Sequence, residues 1–214
     1  PLNEVLAAGL LALSGWRPGT PLYDPMCGSG TFSTEAALWA SGLPIQAGRK
    51  HFAFMDWSDF DAAVWQEVRS EAMASIQAVE TPIFASDMHP GAIRQVRESL
   101  EGADVEDLVQ VRHLDFFQLE PQTEGGVLVL NPPYGERMDP GDVVGLYEQI
   151  GDRLKFHWPG FEAWIISSNE EALKRVGLRP HKRHPVYNGS LECKWAGFSL
   201  YKGSKADQFQ SQLS

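Results

Sequence analysis

The stretch from Leu22 to Thr31, LYDPMCGSGT, decides the fold. Its first three residues predict a short strand, and the apolar spacing of Phe32–Ala40 directly after it predicts a helix. Between them, Gly28 and Gly30 permit backbone conformations that are closed to other residues and let a ligand approach the chain. Strand, glycine turn and helix in this order predict a nucleotide-binding βα unit.

The residues around the glycine turn narrow the class of ligand. Ser33 stands where the dinucleotide motif has its third glycine. Its presence favours a site for a smaller nucleoside over the dinucleotide site of a dehydrogenase. The turn lacks the Gly-Lys-Ser/Thr ending of a phosphate loop, so ATP is disfavoured. Ser29 does not lie in a Gly-x-Ser-x-Gly elbow, so a hydrolase is disfavoured as well.

Outward from this unit, the chain alternates strands and helices. This order predicts an α/β fold: a mostly parallel seven-stranded sheet with an antiparallel edge strand and helices on both faces. We predict strands at 22–24, 82–87, 108–113, 127–130 and 161–167, and a final pair at 182–187 and 194–201. We predict helices at 3–14, 32–40, 59–79, 90–102, 143–156 and 168–177.

Residues 42–81 are less regular and are predicted to be an insertion between the first βα unit and the second strand. Ser58 followed by Asp61 has the spacing of a capping box, which predicts that a helix starts near residue 59. The apolar residues of that helix are expected to be buried. They are Phe60, Val64, Val68 and Met73.

Composition bounds the class of protein. With 214 residues and 43% apolar content, the chain is long enough for one large domain, predicted at 1–202, followed by a polar tail at 203–214. It contains no run of about 18 apolar residues, no signal-peptide pattern and only two cysteines, which favours a cytoplasmic setting. The net charge of −10 argues against a broad phosphate-binding surface.

A nucleoside site needs an acceptor for the ribose hydroxyls, and two carboxylates compete for this role. The usual spacing, about twenty residues beyond the glycines, points near Asp56. We favour Asp87, because residues 83–87 form a cleaner strand with a proline-led helix just beyond it. Asp115, after the third strand, is placed to accept a hydrogen bond from an adenine amino group. A helix or loop cap is the other interpretation of Asp115.

A second motif, Asn-Pro-Pro-Tyr at residues 131–134, follows the buried strand 127–130. Two consecutive prolines cannot continue a hydrogen-bonded strand, so the chain must leave the sheet there. An amide, a rigid turn and an aromatic ring then stand at the carboxyl end of a strand, the edge at which open α/β sheets bind ligands. An ordinary strand-ending turn is the alternative.

In this order, the two motifs resemble S-adenosylmethionine-dependent methyltransferases that act on exocyclic amines of bases. Over residues 1–202 the chain is similar to the catalytic domain of THUMP-containing RNA methyltransferases, and among these to the bacterial RlmL-type enzymes that methylate guanine N2 in 23S ribosomal RNA. The motif NPPY is shared with DNA adenine methylases. The segments that distinguish the RNA methyltransferases from them are FAFMDW at 52–57 and NGSLECK at 188–194. The other matching segments are PLNE at 1–4, DPMCGSGT at 24–31 and NPPYGER at 131–137.

The resemblance implies a Rossmann-like, class I methyltransferase fold and S-adenosyl-L-methionine as the cofactor. It also assigns roles to the site residues. The Asn131 amide oxygen and the Pro132 backbone carbonyl would accept the two N–H bonds of the base amine, and Tyr134 would stack on the extruded base. Contacts with the cofactor are expected from the glycine turn and from the ends of the next three strands. These residues are Asp24, Pro25, Cys27, Gly28, Gly30, Thr31, Asp87, Met88, Asp115, Phe116 and Asn131.

The substrate expected from the resemblance is ribosomal RNA. Lys182 and Arg183 belong to a basic cluster at 174–183 that could touch RNA, although a solvated face explains it equally well. Arg137 could hold a phosphate or pair with a carboxylate. Members of the family carry an N-terminal THUMP region that binds RNA. This sequence lacks a THUMP region, so we expect that region, and not the present domain, to supply most of the RNA affinity.

Three further expectations concern the chemistry. The histidines show no metal-ligand spacing with the cysteines, so we expect no metal. Adenine N6 methylation of DNA or RNA is the alternative reaction, because both targets present an aromatic amine. A module that holds the cofactor or RNA without catalysis is the alternative from another class, and the intact motif at 131–134 argues against it.

Overall fold

The computed structural model describes residues 2–133 and 140–201. Within these residues, the strands are β1 Leu22–Asp24, β2 Ile83–Asp87, β3 Val109–His113, β4 Val127–Leu130, β5 Glu162–Ser167, β6 Lys182–Asn188 and β7 Leu191–Ser199. The α-helices are α1 Glu4–Ser14, α2 Thr31–Ser41, α3 Ala62–Ala74, α4 Pro90–Gly102, α5 Pro140–His157 and α6 Glu170–Arg175. One-turn 3-10 helices lie at Ala53–Asp56, Glu106–Leu108 and Phe116–Gln118.

The strands form one sheet in the order β3-β2-β1-β4-β5-β7-β6. The pairs along β3-β2-β1-β4-β5 are parallel, while β7 is antiparallel to both of its neighbours. The predicted Rossmann-like class is therefore confirmed. The β6–β7 hairpin turns at Gly189 and places β7 between β5 and β6, so the edge strand β6 pairs antiparallel with β7, as predicted.

Helices cover both faces of the sheet and bury two hydrophobic clusters. On one face, α1, α2 and α4 pack on the sheet through residues such as Leu10, Phe32 and Val96. On the other face, α5 and α6 cover the sheet through residues such as Tyr147 and Ala172. Burial on both faces explains why every residue of β2 and β4 is buried and why β4, with the sequence VLVL, is apolar without alternation.

The helix predicted at 59–79 is shorter, and its burial was predicted wrongly. It spans Ala62–Ala74, and the side chain of Asp61, instead of Ser58, accepts hydrogen bonds from the first turn. Val64, Val68 and Met73 are exposed, at 55%, 51% and 42%. The inward side chain of α3 is Trp65, whose ring contacts the rings of Phe52 and Phe54; of the four residues predicted to be buried, Phe60 is half-buried and its ring contacts that of Phe54.

No helix within residues 2–133 and 140–201 is long and apolar enough to cross a bilayer.

Candidate active site

The site lies where the strand order reverses. The chain runs outward through β1, β2 and β3 on one side and resumes with β4 on the other side of β1. Loops leaving the carboxyl ends of β1 and β4 therefore diverge, and the crevice between them is the ligand position in open α/β sheets. The glycine turn follows β1 and the Asn-Pro-Pro segment follows β4, so the two sequence motifs flank this crevice.

Asp24 ends β1 and is only 1% exposed. Its Oδ2 accepts a hydrogen bond from Ser33 Oγ at 2.8 Å, whereas Oδ1 is buried without a partner among the described residues. Burial raises the pKa of Asp24 to about 7; the hydrogen bonds from Ser33 oppose this rise and the charge of Asp87 adds to it. A buried oxygen without a donor leaves a place for a polar group of a ligand.

The backbone of the glycine turn is fixed by local hydrogen bonds. Cys27 N–H donates to Ser86 O at 3.0 Å, and Gly30 N–H donates to Cys27 O at 2.7 Å. Gly28 and Gly30 adopt left-handed φ values of 54° and 77°. A Cβ on Gly30 would lie 2.2 Å from Val96 Cγ2 of α4, whereas a Cβ on Gly28 would meet nothing within 4 Å. Gly30 is therefore a packing position, and the space beside Gly28 is open to a ligand.

Cys27 is buried in this turn, and its chemistry is that of a neutral thiol. Burial raises the pKa of Cys27, and the charges of Asp24 and Asp87 raise it further. Because the thiolate is the nucleophilic form, this side chain is unsuited to covalent catalysis.

Asp87 ends β2 and connects that strand to the glycine turn. Its Oδ2 accepts a hydrogen bond from Gly28 N–H at 3.1 Å, and its Oδ1 accepts one from His89 N–H at 2.9 Å. Each carboxylate oxygen keeps a further acceptor position. The competing carboxylate, Asp56, belongs to a 3-10 helix of the insertion instead of a strand end, and it pairs with His51 at 3.2 Å. This placement favours Asp87 as the ribose acceptor.

The loop after β3 brings Asp115 next to Asp87, since Leu114 N–H donates to Asp87 O at 3.1 Å. Asp115 Oδ1 caps the short turn that follows by accepting from Phe117 N–H at 3.0 Å. The cap interpretation thus holds for one oxygen of Asp115. Phe116 corrects one expected cofactor contact. It is 1% exposed and its ring stacks on Trp158 in the core, so only its backbone is available to a cofactor.

The remaining cofactor candidates sit around the same crevice. Pro25 is buried at the start of the glycine turn, and Thr31 begins α2. Met88 follows Asp87 with an exposed side chain, and its carbonyl oxygen lies within hydrogen-bond distance, 2.9 Å, of the ring Nε2 of His113. Pro25, Thr31 and Met88 therefore follow the carboxyl ends of β1 and β2.

Asn131 and Pro132 continue β4 beyond the sheet. β4 pairs with β1 through Leu22↔Val127 and Tyr23↔Leu128, so Asn131 lies about 7 Å past the level of Asp24 on the neighbouring strand. Asn131 is half-buried and Pro132 is buried. Two of the sequence candidates, Tyr134 and Arg137, lie outside the described residues.

A hydrogen-bonded pair behind this turn was missed by the sequence reasoning. The buried hydroxyl of Tyr147 in α5 donates to Ser167 Oγ at 2.8 Å, and Ser167 Oγ also accepts from Asn169 N–H at 3.1 Å. Ser167 ends β5, the strand next to β4. The pattern offered no signal for this pair, because twenty residues separate its members.

The two candidate RNA contacts, Lys182 and Arg183, are the first two residues of β6. Side chains alternate between the faces of a strand, so Lys182 and Arg183 point to opposite faces of the sheet. His184, on the face of Lys182, stacks on Trp164. No group of three or more His, Cys, Asp and Glu side chains in the described ranges is arranged to hold a metal ion.

Comparison with known proteins finds relatives over almost the whole chain. The family model UPF0020, the RMKL-like methyltransferase domain, matches residues 1–197. A Synechocystis protein whose name assigns it to the RNA methyltransferases is 37% identical over 94% of this chain and 53% of its own length. The ribosomal RNA large subunit methyltransferase K/L of Shewanella baltica is 36% identical over 95% of this chain and 30% of its own length.

Solved structures are similar over the same range. SMU.472, named as a methyltransferase and crystallised with SAH, has a TM-score of 0.88 and 30% identity, covering 95% of this chain and 54% of that one. A Listeria monocytogenes protein named as an N6-adenine-specific DNA methylase has a TM-score of 0.83 and 30% identity, covering 95% and 52%. The chain thus spans about half the length of these relatives, and less of the Shewanella one.

Proposed function

This chain belongs to the family of RMKL-like methyltransferase domains, and on that premise we propose that it transfers a methyl group from S-adenosyl-L-methionine to the N2 amine of a guanine in 23S ribosomal RNA. The observation that carries the proposal is the position of Asn131 and Pro132. They leave β4 across the crevice from a glycine turn that has open space beside Gly28. The name of the Shewanella relative supports ribosomal RNA of the large subunit as the substrate.

The residues around the crevice fit the cofactor. The buried Asp24 Oδ1 lacks a donor, and a cationic amino group would supply one while favouring the charged carboxylate. The open side of Gly28 admits the nucleoside, and Asp87, held by Gly28 and His89, would accept the ribose hydroxyls. When bound, S-adenosylmethionine supplies an electrophilic methyl group. The SAH complex of SMU.472 supports this choice of cofactor.

The acceptor residues compensate for a weak nucleophile. The lone pair of an exocyclic base amine is delocalised into the ring. The Asn131 amide oxygen and the Pro132 carbonyl would accept its N–H bonds and stabilise the positive charge that develops on nitrogen. The two prolines fix the turn, so these acceptors are preorganised. Asn131 has no titrating proton to exchange, so it orients the amine and does not act as a base. Tyr134 would stack on the flipped base.

Adenine N6 methylation remains the second candidate, favoured by the name of the Listeria relative. Incubation with isotopically labelled S-adenosylmethionine and ribosomal RNA, followed by mass spectrometry of the nucleosides, distinguishes the two reactions. We expect labelled N2-methylguanosine with the native protein and none with Asn131→Ala, which should still bind the cofactor. Labelled N6-methyladenosine alone would refute the choice of guanine.

The non-catalytic alternative has its own outcome. Cofactor binding without label in any nucleoside of RNA or DNA, in the protein at its natural length, would support a binding module. The natural length matters because the net charge of −10 leaves this domain with little general attraction for RNA. We propose that RNA affinity comes chiefly from an N-terminal THUMP region and that the reaction takes place in the cytoplasm.

A further inference from the structure

A cavity of about 210 Å³ lies between α6 and the β6–β7 hairpin, on the face of the sheet that α5 covers. We refer to it as the hairpin cavity. Its lining combines two apolar side chains, three cations and one carboxylate. These are Leu173 and Pro185; Lys174, Arg183 and Lys194; and Glu170.

Two of the three cations are already paired. Lys174 pairs with Glu171 one helical turn away, and Lys194 Nζ lies 2.9 Å from Glu192 and 3.4 Å from Glu170. Within residues 2–133 and 140–201, the guanidinium of Arg183 has no such partner. A guanidinium offers donors in a planar fork that matches a phosphate. Arg183 is therefore the group of the cavity that is available to an anion.

Apolar surface continues from Arg183 along the same face of β6. Because side chains alternate, Arg183, Pro185 and Tyr187 share this face at intervals of about 6.6 Å. The ring of Tyr187 is 63% exposed although it is large and aromatic. Exposed aromatic rings next to a cation are the usual platform for unpaired bases. This face thus offers a hydrogen-bond donor for a phosphate at Arg183 and a stacking surface for a base at Tyr187.

The cavity is level with the acceptor turn. Ser167 of β5 pairs with Lys194 of β7, which pairs with Pro185 of β6. Continuing the β4–β5 register two residues beyond Leu130↔Ile165 places Pro132 beside Ser167. Four neighbouring strands therefore form a row from Pro132 to Pro185, about 14 Å long. A strand of RNA that presents a base at Asn131 can reach the cavity.

We propose that the hairpin cavity binds an unpaired nucleotide of the substrate RNA that flanks the methylated base. Arg183 holds its phosphate, and Pro185, Leu173 and Tyr187 contact its base and sugar. This inference rests on the proposed function, since it requires RNA at the acceptor turn. It also explains why a chain with a net charge of −10 keeps a cation without a partner at this position.

The test measures binding and turnover in the protein at its natural length. Affinity for a fluorescein-labelled, single-stranded RNA oligonucleotide of mixed sequence is measured over a range of salt concentrations. We expect Arg183→Ala to weaken binding about fivefold and to reduce the slope of log K against log salt by about 0.7, the loss of one phosphate contact. We expect Tyr187→Ala to weaken binding roughly tenfold while the salt slope stays unchanged.

Two charge-matched variants provide the comparison. Lys182→Ala removes a cation one residue away on the opposite face, and Arg94→Ala removes an exposed cation of α4 on the far side of the sheet. Arg94→Ala should bind the oligonucleotide within twofold of the native protein, and Lys182→Ala should lose less affinity than Arg183→Ala. Cofactor affinity should be the same in all four variants, which shows that each is folded.

The outcomes separate this inference from the proposed function. Equal losses in Lys182→Ala and Arg183→Ala would indicate diffuse attraction and overturn the cavity as a site. Unchanged binding in Arg183→Ala and Tyr187→Ala, in a protein that methylates ribosomal RNA, would overturn the inference alone. A native protein that methylates no RNA would refute the proposed function. The effect of Arg183→Ala on oligonucleotide binding would still report whether the cavity holds RNA.

Discussion

At the scale of single residues, the burial of Asp24 lowers the stability of the ligand-free protein and keeps an acceptor oxygen available to a ligand. A carboxyl group that is 1% exposed is stable in its neutral form, and its pKa of about 7 records that preference. The same burial keeps Oδ1 free of donors from the described residues, ready for a charged ligand group. The residue therefore destabilises the ligand-free protein at neutral and higher pH, where the buried carboxylate ionises although its Oδ1 has no donor among the described residues.

This leads to a pH prediction. The folded pKa of Asp24 lies above its value of 3.8 in the unfolded chain, so the stability that it contributes is complete below 3.8 and is lost as the pH rises to about 7. The substitution Asp24→Asn keeps an acceptor for Ser33 and removes the titration. We expect this variant to have a free energy of unfolding higher than that of the native chain by up to roughly 4 kcal/mol at pH 8. Chemical denaturation at pH 4, 6 and 8 measures the difference. A difference that is independent of pH would contradict the raised pKa.

The two glycines of the turn predict different defects. Gly30→Ala combines a left-handed φ of 77° with a contact of 2.2 Å to Val96, so we expect a loss of about 2–5 kcal/mol in the free energy of unfolding. Gly28→Ala adds only the strain of its φ of 54°, about 1–2 kcal/mol, but its methyl group enters the space kept for the ligand.

Calorimetric titration with S-adenosylmethionine separates these defects. The Gly28→Ala variant should fold and lose most of its affinity for the cofactor, whereas the Gly30→Ala variant should mainly show a lower denaturation midpoint. Normal cofactor affinity in Gly28→Ala would show that the nucleoside does not pass beside this glycine.

At the scale of elements, a hydrogen-bond network links the helices to the end of the strand beside the proposed acceptor turn. Tyr147 in α5, Ser167 at the end of β5 and Asn169 at the start of α6 share one hydrogen-bond network. We therefore regard Tyr147 as a positioning residue for Asn131 and Pro132. Tyr147→Phe keeps the ring in the core and removes the hydroxyl contact with Ser167.

We expect Tyr147→Phe to lower kcat about tenfold while the KM for the cofactor stays within twofold. A turn displaced by a fraction of an ångström loses alignment with the amine but not the cofactor pocket. Steady-state kinetics with varied cofactor and RNA measure both constants. The matched control is Tyr23→Phe, whose hydroxyl contacts Thr123 and Gln122 away from the acceptor turn. Equal losses of kcat in both variants would indicate a general packing defect.

The insertion shows where sequence patterns mislead. Its apolar spacing was consistent with a buried helix, yet α3 turns Val64 and Val68 outward. Periodicity reports which residues share a face, but not what covers that face. The helix packs instead through the neighbouring residue Trp65, whose ring contacts the rings of Phe52 and Phe54.

Substitutions in α3 follow from this packing. Val64→Gln and Val68→Gln should change the free energy of unfolding by less than about 0.5 kcal/mol, because both side chains are already exposed. Trp65→Ala should cost about 2–4 kcal/mol by removing the ring contacts with Phe52 and Phe54 from the insertion. Urea denaturation of the three variants measures these changes. A large loss in either Gln variant would show that the exposed face is covered in the protein.

At the scale of the whole molecule, the order of elements and the crevice could be predicted because each rests on local signals. Gly28, Pro90 and the prolines after β4 mark where strands end, and the alternation of strands and helices then fixes the sheet. Long-range features had no such signal. The burial of the Phe116 ring against Trp158, the insertion of β7 between β5 and β6, and the contact between Tyr147 and Ser167 depend on residues distant in sequence.

The ligand-binding crevice joins β1, β2, β3 and β4, so occupancy should stabilise the molecule as one unit. A ligand at a hundred times its Kd adds about 2.7 kcal/mol to the free energy of unfolding. For a domain of this size, each kcal/mol raises Tm by about 2–4 °C. We therefore expect S-adenosylmethionine to raise Tm by about 5–10 °C in a thermal denaturation experiment.

Variants of the two competing carboxylates sharpen this last prediction. Asp87→Ala removes the acceptor of Gly28 N–H and His89 N–H, so the thermal shift at the same cofactor concentration should fall below about 2 °C. Asp56→Ala removes an exposed partner of His51, and the shift should stay unchanged. NAD should give no shift with any of these proteins, since Ser33 replaces the third dinucleotide glycine. A shift lost in Asp56→Ala but kept in Asp87→Ala would move the ribose site into the insertion and contradict the assignment of the crevice.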